Sequence, residues 1–193
     1  MRVISGNQKG RKLKAVPGTS TRPTTDKIRE SIFNMVGPYF DGGTSLDLYG
    51  GSGALTIEGI SRGIERGVIV DVDPKAIDTI RENLRLCNYT DEVEVYRNDS
   101  KRALKALKKR EIAFKYVYLD PPYKKQRIEK EIEALSQAHL LEPNAIIIVE
   151  HDSNLTLSDQ VETCTKLKAE KYNNTTSVTI FINDPSQEEN PNE

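Results

Sequence analysis

Cysteine is scarce in this chain, and the little present builds no framework. Its two cysteines, Cys87 and Cys164, lie far apart with no Cys-x-x-Cys pair, and its two histidines, His139 and His151, are not at ligand spacing. That excludes a disulfide-stapled scaffold and gives no basis for a structural zinc site, so no metal is expected. No apolar run approaches membrane-spanning length, and Met1–Gly6 lead into no signal-like apolar segment. The expected setting is a reduced cytoplasm with no membrane partner. Neither sign of charge dominates, since 28 Lys and Arg face 29 Asp and Glu. What is there is length: 193 residues suffice for one domain with a real core.

The balanced total hides an uneven distribution. Residues 1–30 carry Arg2, Lys9, Arg11, Lys12, Lys14, Arg22, Lys27 and Arg29 against Asp26 and Glu30. A basic arm is a candidate phosphate-binding element, although a charge run is more commonly a solvated surface segment. Residues 184–193 carry Asp184, Glu188, Glu189 and Glu193 with no basic residue, the composition of a disordered tail. The expected organisation is an extension over 1–40, a main domain over 41–183 and a tail over 184–193.

Residues 1–18 read as a short hairpin, Arg2–Ser5 with Lys12–Val16, around Gly6 and Gly10. Thr24-Thr25-Asp26 opens a helix with Ile28, Ile32, Phe33, Met35 and Val36 inward, ended by Gly37-Pro38. Strands and helices then alternate. Strands are expected at Thr44–Tyr49, Gly67–Val72, Glu92–Tyr96, Lys115–Leu119 and Asn144–Glu150. Between them lie helices Ala54–Ser61, Pro74–Cys87, Lys101–Lys109 and Gln126–His139. The uninterrupted apolar run Ala145–Val149 suits a central parallel strand covered on both faces. Glu162–Lys171 and Thr175–Asn183, joined by Tyr172-Asn173-Asn174, leave no room for a crossover helix and form a terminal antiparallel hairpin. The fold class is α/β: a mostly parallel, doubly wound sheet of seven strands, Rossmann-like, with right-handed crossovers.

In such sheets ligands bind beyond the carboxyl ends of the strands. The first strand runs into Asp47-Leu48-Tyr49-Gly50-Gly51-Ser52-Gly53, whose glycines allow a sharp turn and close approach. It is not the dinucleotide fingerprint, because Thr56 stands where its third glycine belongs, and Asp47 suits a cationic or amino-bearing ligand better than a pyrophosphate. The second strand ends Asp71-Val72-Asp73, about 20 residues beyond the glycine loop, where an acid can take a ribose diol. Asp73 precedes Pro74 and reads first as a helix N-cap, leaving Asp71 as the better ribose ligand. At the third strand end, Asp99 or Ser100 caps the next helix, or Asn98 and Asp99 contact an adenine. The fourth ends Asp120-Pro121-Pro122-Tyr123. The prolines remove donors and hold the turn rigid. Asp120 and the Pro121 carbonyl are acceptors for an exocyclic amine, and Tyr123 is a ring for base stacking. An ordinary strand-ending turn with a solvated Asp is the alternative reading of this tetrapeptide alone.

Together these motifs resemble a class I S-adenosylmethionine-dependent methyltransferase of the amino-methylating type. The segment Asp47–Gly53, with Tyr49, Gly51 and Ser52, resembles its motif I, Asp71 its motif II acid, Asn98-Asp99 its third-strand cofactor contact, and Asp120–Tyr123 its [DN]PP[YFW] motif. Met1–Gly6, Lys9–Leu13, Arg22–Asn34, Gly51–Leu55, Glu58 and Ser61–Gly63 further resemble the RsmD family over about residues 1–183. Thr56-Ile57 and Gly59 depart from the usual family residues, with packing consequences expected. The resemblance implies S-adenosylmethionine as cofactor and transfer of its methyl to N2 of guanine 966 in bacterial 16S rRNA. Asp120, Pro121, Pro122 and Tyr123 would be catalytic, and Lys9, Arg11, Lys12, Lys14 and Arg22 would hold rRNA phosphates. The partner is then 16S rRNA in the small subunit or an assembly intermediate, met by a monomer. Adenine-N6 methylation of RNA or DNA, a nicotinamide oxidoreductase and a non-catalytic RNA-binding module are the competing readings.

Overall fold

The computed structural model describes residues 1–18, 25–122 and 127–186. They fall in two compact units, Met1–Ser100 and Lys101 onward.

In the first unit, α1 spans Asp26–Val36. Thr25 caps it by accepting the Ile28 N–H, and Gly37, at φ 125°, ends it. Then come β1 (Thr44–Asp47), α2 (Ala54–Ser61), β2 (Arg66–Asp71), α3 (Pro74–Cys87) and β3 (Val93–Arg97). The three strands are parallel, with β2 between β1 and β3. Helix α3 buries Ala76, Ile77, Ile80, Leu84 and Cys87 on one face, as its periodicity requires. β1 stops at Asp47 rather than Tyr49. The Asp47 carboxylate takes the Tyr49 N–H at 3.1 Å, and the Val70 carbonyl takes the Gly50 N–H at 2.9 Å.

The amino-terminal hairpin is smaller than expected, a single antiparallel bridge between Arg2 and Lys12. The Val3 and Leu13 amides pair across it, but the next amides along each strand, Ile4, Ser5 and Lys14, go elsewhere. Glu58 of α2 accepts the Ile4 N–H at 2.8 Å and the Ser5 N–H at 3.0 Å. The Ser61 carbonyl accepts the Asn7 N–H at 2.9 Å, and the Ser61 hydroxyl donates to the Ser5 carbonyl at 2.6 Å. Gly6 (φ 83°) lies so close that a Cβ would stand 1.7 Å from the Ser61 oxygen. The segment therefore docks on the end of α2 through backbone polar groups.

That docking centres on a buried charge cluster. Glu58 is 0 % exposed; it faces Arg62 Nε at 2.8 Å and Arg29 Nε at 3.7 Å. Arg29 also donates to Asp26 at 2.9 Å and to the Arg2 carbonyl, while Arg62 donates to the Pro38 carbonyl at 3.0 Å and lies over the Phe33 ring. One carboxylate thus ties α1, α2 and the amino terminus together.

In the second unit, α4 (Ser100–Lys108, beginning at the last residue of the first unit) precedes β4 (Phe114–Leu119), α5 (Ile128–Gln137) and β5 (Leu141–Asp152). Three further strands follow: β6 (Gln160–Val161), β7 (Cys164–Lys171) and β8 (Thr176–Asn183). β4 and β5 are parallel, and β5–β8, β8–β7 and β7–β6 are antiparallel. Asn173 closes the β7–β8 turn by accepting the Thr175 and Thr176 N–H groups. The described strands number eight rather than seven. The additional strand is β6, which precedes the strand expected over 162–171; Glu162, at φ 52°, turns the chain between them, so that strand begins only at Cys164 as β7. A non-glycine residue in that conformation carries no turn signal in sequence. Strands parallel within β1–β3 and within β4–β5, with antiparallel strands at the carboxyl end, make up the expected α/β class.

Candidate cofactor site and strand-end turn

The carboxyl ends of β1, β2 and β3 hold one hydrogen-bonded cluster. Asp71 joins it: Oδ2 accepts the Gly51 N–H at 2.8 Å, and Oδ1 accepts the Asp73 N–H at 2.9 Å. Its carbonyl accepts the Asn98 N–H at 3.0 Å. Asp71 thus fixes the glycine loop against the end of β2, a role its position in sequence did not disclose. Each carboxylate oxygen retains a further acceptor site. Asp73 makes the expected cap, accepting the Lys75 N–H at 2.9 Å with Pro74 opening α3. Asn98 Oδ1 accepts the Asp99 N–H at 3.0 Å, and the Tyr49 hydroxyl donates to Ser100 Oγ at 3.2 Å.

Asp47 is the electrostatic anomaly. It is 1 % exposed. Burial pushes its carboxyl up to about 7, the Tyr49 amide pulls it back, the neighbouring Asp71 raises it further and the Thr56 hydroxyl lowers it.

The glycines have distinct reasons. A Cβ on Gly50 would strike Ile69 at 2.3 Å, so the loop packs tightly there. Among the described residues nothing lies within 4 Å of the Cβ direction of Gly51 (φ 54°), so the backbone beside Asp71 faces open space there. Gly53 (φ 79°) is the N-cap of α2.

The loop is braced by residues the sequence reading did not single out. Asn83 of α3 is fully buried; it donates to the Ser52 carbonyl at 2.9 Å and the Lys14 carbonyl at 3.0 Å, and accepts the Lys14 N–H at 2.8 Å. Ser52 Oγ meets Met1 Sδ at 3.7 Å. An amide on the apolar face of an amphipathic helix was the available signal.

In the second unit, β4 ends at Leu119, immediately before Asp120. Asp120 is half-buried, Pro121 buried and Pro122 exposed. Tyr123 lies outside the described residues, as does Arg22. Of the arm cations, Lys9 and Lys12 are exposed, Arg11 donates to Gln8 at 3.2 Å, and Lys14 pairs with Glu82. Cys87 and Cys164 are buried packing residues. His151 is also a packing residue: Nε2 meets Thr179 Oγ1 at 2.8 Å, and burial holds its pKa below the usual value. Among the described residues no group of three or more His, Cys, Asp or Glu is placed to hold a metal, and no helix is long and apolar enough to cross a membrane.

Residues 1–182 match the model of a family described as conserved hypothetical protein 95. The chain is 51% identical over 181 residues to the Bacillus subtilis "Putative rRNA methyltransferase YlbH", covering 94% of this chain and 98% of that one. It is 30% identical over 152 residues to the Escherichia coli "Ribosomal RNA small subunit methyltransferase D", covering 79% and 75%. Among solved structures, the "Putative methyltransferase yhhF" of Escherichia coli superposes with a TM-score of 0.82 at 26% identity, over 95% of this chain and 98% of that one. The fold is the Rossmann-like methyltransferase fold, and the chain belongs to the conserved hypothetical protein 95 family, the RsmD family.

Proposed function

We propose that this protein is an S-adenosylmethionine-dependent rRNA methyltransferase acting on the exocyclic N2 of a guanine in 16S rRNA, guanine 966 by resemblance. The observation that carries the reading is Asp120-Pro121-Pro122 directly after β4, in a chain whose family match spans residues 1–182.

The cluster in the first unit fits the cofactor. Gly51 leaves open space beside Asp71 among the described residues, and Asp47 is a carboxylate whose charge is penalised by burial. An ammonium group there restores its ionised form. In this reading Asp47 holds the cofactor amine and Asp71, with Asp73 beside it, the ribose hydroxyls. Asn98 and Asp99 contact the adenine, and Tyr49, Gly51, Ser52 and Gly53 shape the loop around the ligand. When bound, the cofactor supplies an electrophilic methyl group.

The rest falls to the strand-end turn. The lone pair of a guanine N2 is delocalised into the ring. Asp120 and the Pro121 carbonyl accept hydrogen bonds from its two N–H groups and favour a pyramidal nitrogen. Asp120 takes the proton that N2 loses as it gains the methyl. Pro122 stiffens the turn, and Tyr123 is assigned to stacking. The target base must be unpaired or flipped out. The partner is small-subunit rRNA, engaged by a monomer through Lys9, Arg11, Lys12, Lys14 and Arg22, and the setting is the cytoplasm.

Thermal melting tests the cofactor half. S-adenosylhomocysteine raises the melting temperature by mass action, and NAD does not. A shift with NAD alone overturns the methyltransferase reading.

A further inference from the structure

The arm was the sequence's candidate for RNA contacts, yet the fold uses up part of its charge. Arg29 is buried in the Glu58 cluster, Lys14 pairs with Glu82, and Arg2 approaches Asp26 at 3.8 Å. A denser cationic surface lies elsewhere. Residues 101–110 hold Lys101, Arg102, Lys105, Lys108, Lys109 and Arg110 with no acidic residue. Outside them the chain is acidic, with 22 basic residues against 29.

The fold sorts this stretch cleanly. Ala103, Leu104 and Leu107 of α4 are buried, and all six cations are exposed. Lys101, Lys105 and Lys108 follow i, i+4, i+7 spacing and so line one stripe, about 10 Å long at the helical rise. Among the described residues, Lys101, Lys105, Lys108 and Lys109 make no ion pair, whereas Lys14, Lys166 and Lys168 each sit on a carboxylate. Four of these like charges lie on α4 and Lys109 and Arg110 follow it directly; they repel one another in the free protein, and a polyanion relieves that repulsion. The helix also starts directly after Asn98-Asp99, at the carboxyl end of β3.

We infer that the exposed face of α4 is an RNA-docking surface that binds the phosphate backbone flanking the target nucleotide. This rests on the proposed rRNA substrate and adds a contact region to it. The binding is electrostatic and sequence-independent, so it sets affinity and salt dependence rather than base choice.

The test replaces three stripe residues together, Lys101→Gln, Lys105→Gln and Lys108→Gln, with Lys130→Gln on the exposed side of α5 as control. Gln has nearly the helix propensity of Lys, and the sites are exposed, so folding is preserved. S-adenosylhomocysteine stabilisation checks this in each variant. Affinity for a small-subunit rRNA fragment is measured across a salt series. The expected result is weaker binding in the triple variant, a log–log salt slope shallower by about 2 to 3, a raised KM for RNA and an unchanged kcat. The control should match the wild type. A wild-type slope and affinity in the triple variant overturn the inference and leave the proposed function intact. Failure of the wild-type protein itself to bind rRNA overturns both.

Discussion

Asp47 is the residue on which fold stability and the proposed cofactor binding oppose each other. Its carboxyl titrates near 3.8 when unperturbed and at about 7 in the fold, where burial penalises the charge. For an acid whose pKa is raised by folding, the stability contribution is complete below about pH 4 and is lost as the pH climbs to about 7. Asp47→Asn fixes the uncharged form. The ligand-free variant should melt with the wild type near pH 4 and above it at about pH 8. Equal melting temperatures at both would mean that burial does not penalise this carboxylate. The proposed cofactor amine engages only the ionised form. Wild-type affinity for S-adenosylhomocysteine should therefore fall as the pH drops from about 8 to about 6, while the Asn variant binds weakly throughout. Calorimetric titration reads both; a pH-independent wild-type affinity would place the amine elsewhere.

At the scale of elements, the amino-terminal segment is held by two polar fixtures in the first unit. The first is Glu58 between Arg29 and Arg62. Glu58→Gln takes the carboxylate from the buried Arg62 guanidinium and leaves Arg29 with Asp26 alone, and should cost about 3–5 kcal/mol in equilibrium denaturation. A loss under about 1 kcal/mol would show that solvent reaches the cluster. The second is Asn83, which joins Lys14 to the Ser52 carbonyl. Asn83→Ala should weaken S-adenosylhomocysteine binding by loosening the loop, at about 1–3 kcal/mol of stability. Unchanged affinity would make Asn83 a support of the segment alone. Neither fixture was legible in sequence. Glu58 and Asn83 read as polar residues within helices, and their partners at Ile4, Ser5 and Lys14 lie more than fifty positions away. Local signals fared better. Pro74 after Asp73 announced the α3 cap, and the run Ala145–Val149 announced the interior of β5. The hairpin strands failed because long-range acceptors outcompeted strand pairing.

For the whole molecule, the family and the α/β class were readable because their signals are periodic or clustered at strand ends. Asp47, Asp71 and Asn98 were found as ligand candidates from position alone, and the fold joins all three in the first unit. Their coupling was not readable, since the pKa of Asp47 depends on burial and on Asp71. The basic face of α4 was also passed over, because charge in the arm drew the reading first. The central claim is methyl transfer to rRNA through Asp120, and it is tested by incubating labelled S-adenosylmethionine with small ribosomal subunits lacking the modification, followed by nucleoside analysis. The account predicts N2-methylguanosine with the wild-type protein and none with Asp120→Ala, which should still be stabilised by S-adenosylhomocysteine. A different methylated nucleoside, or full activity in the variant, would contradict it.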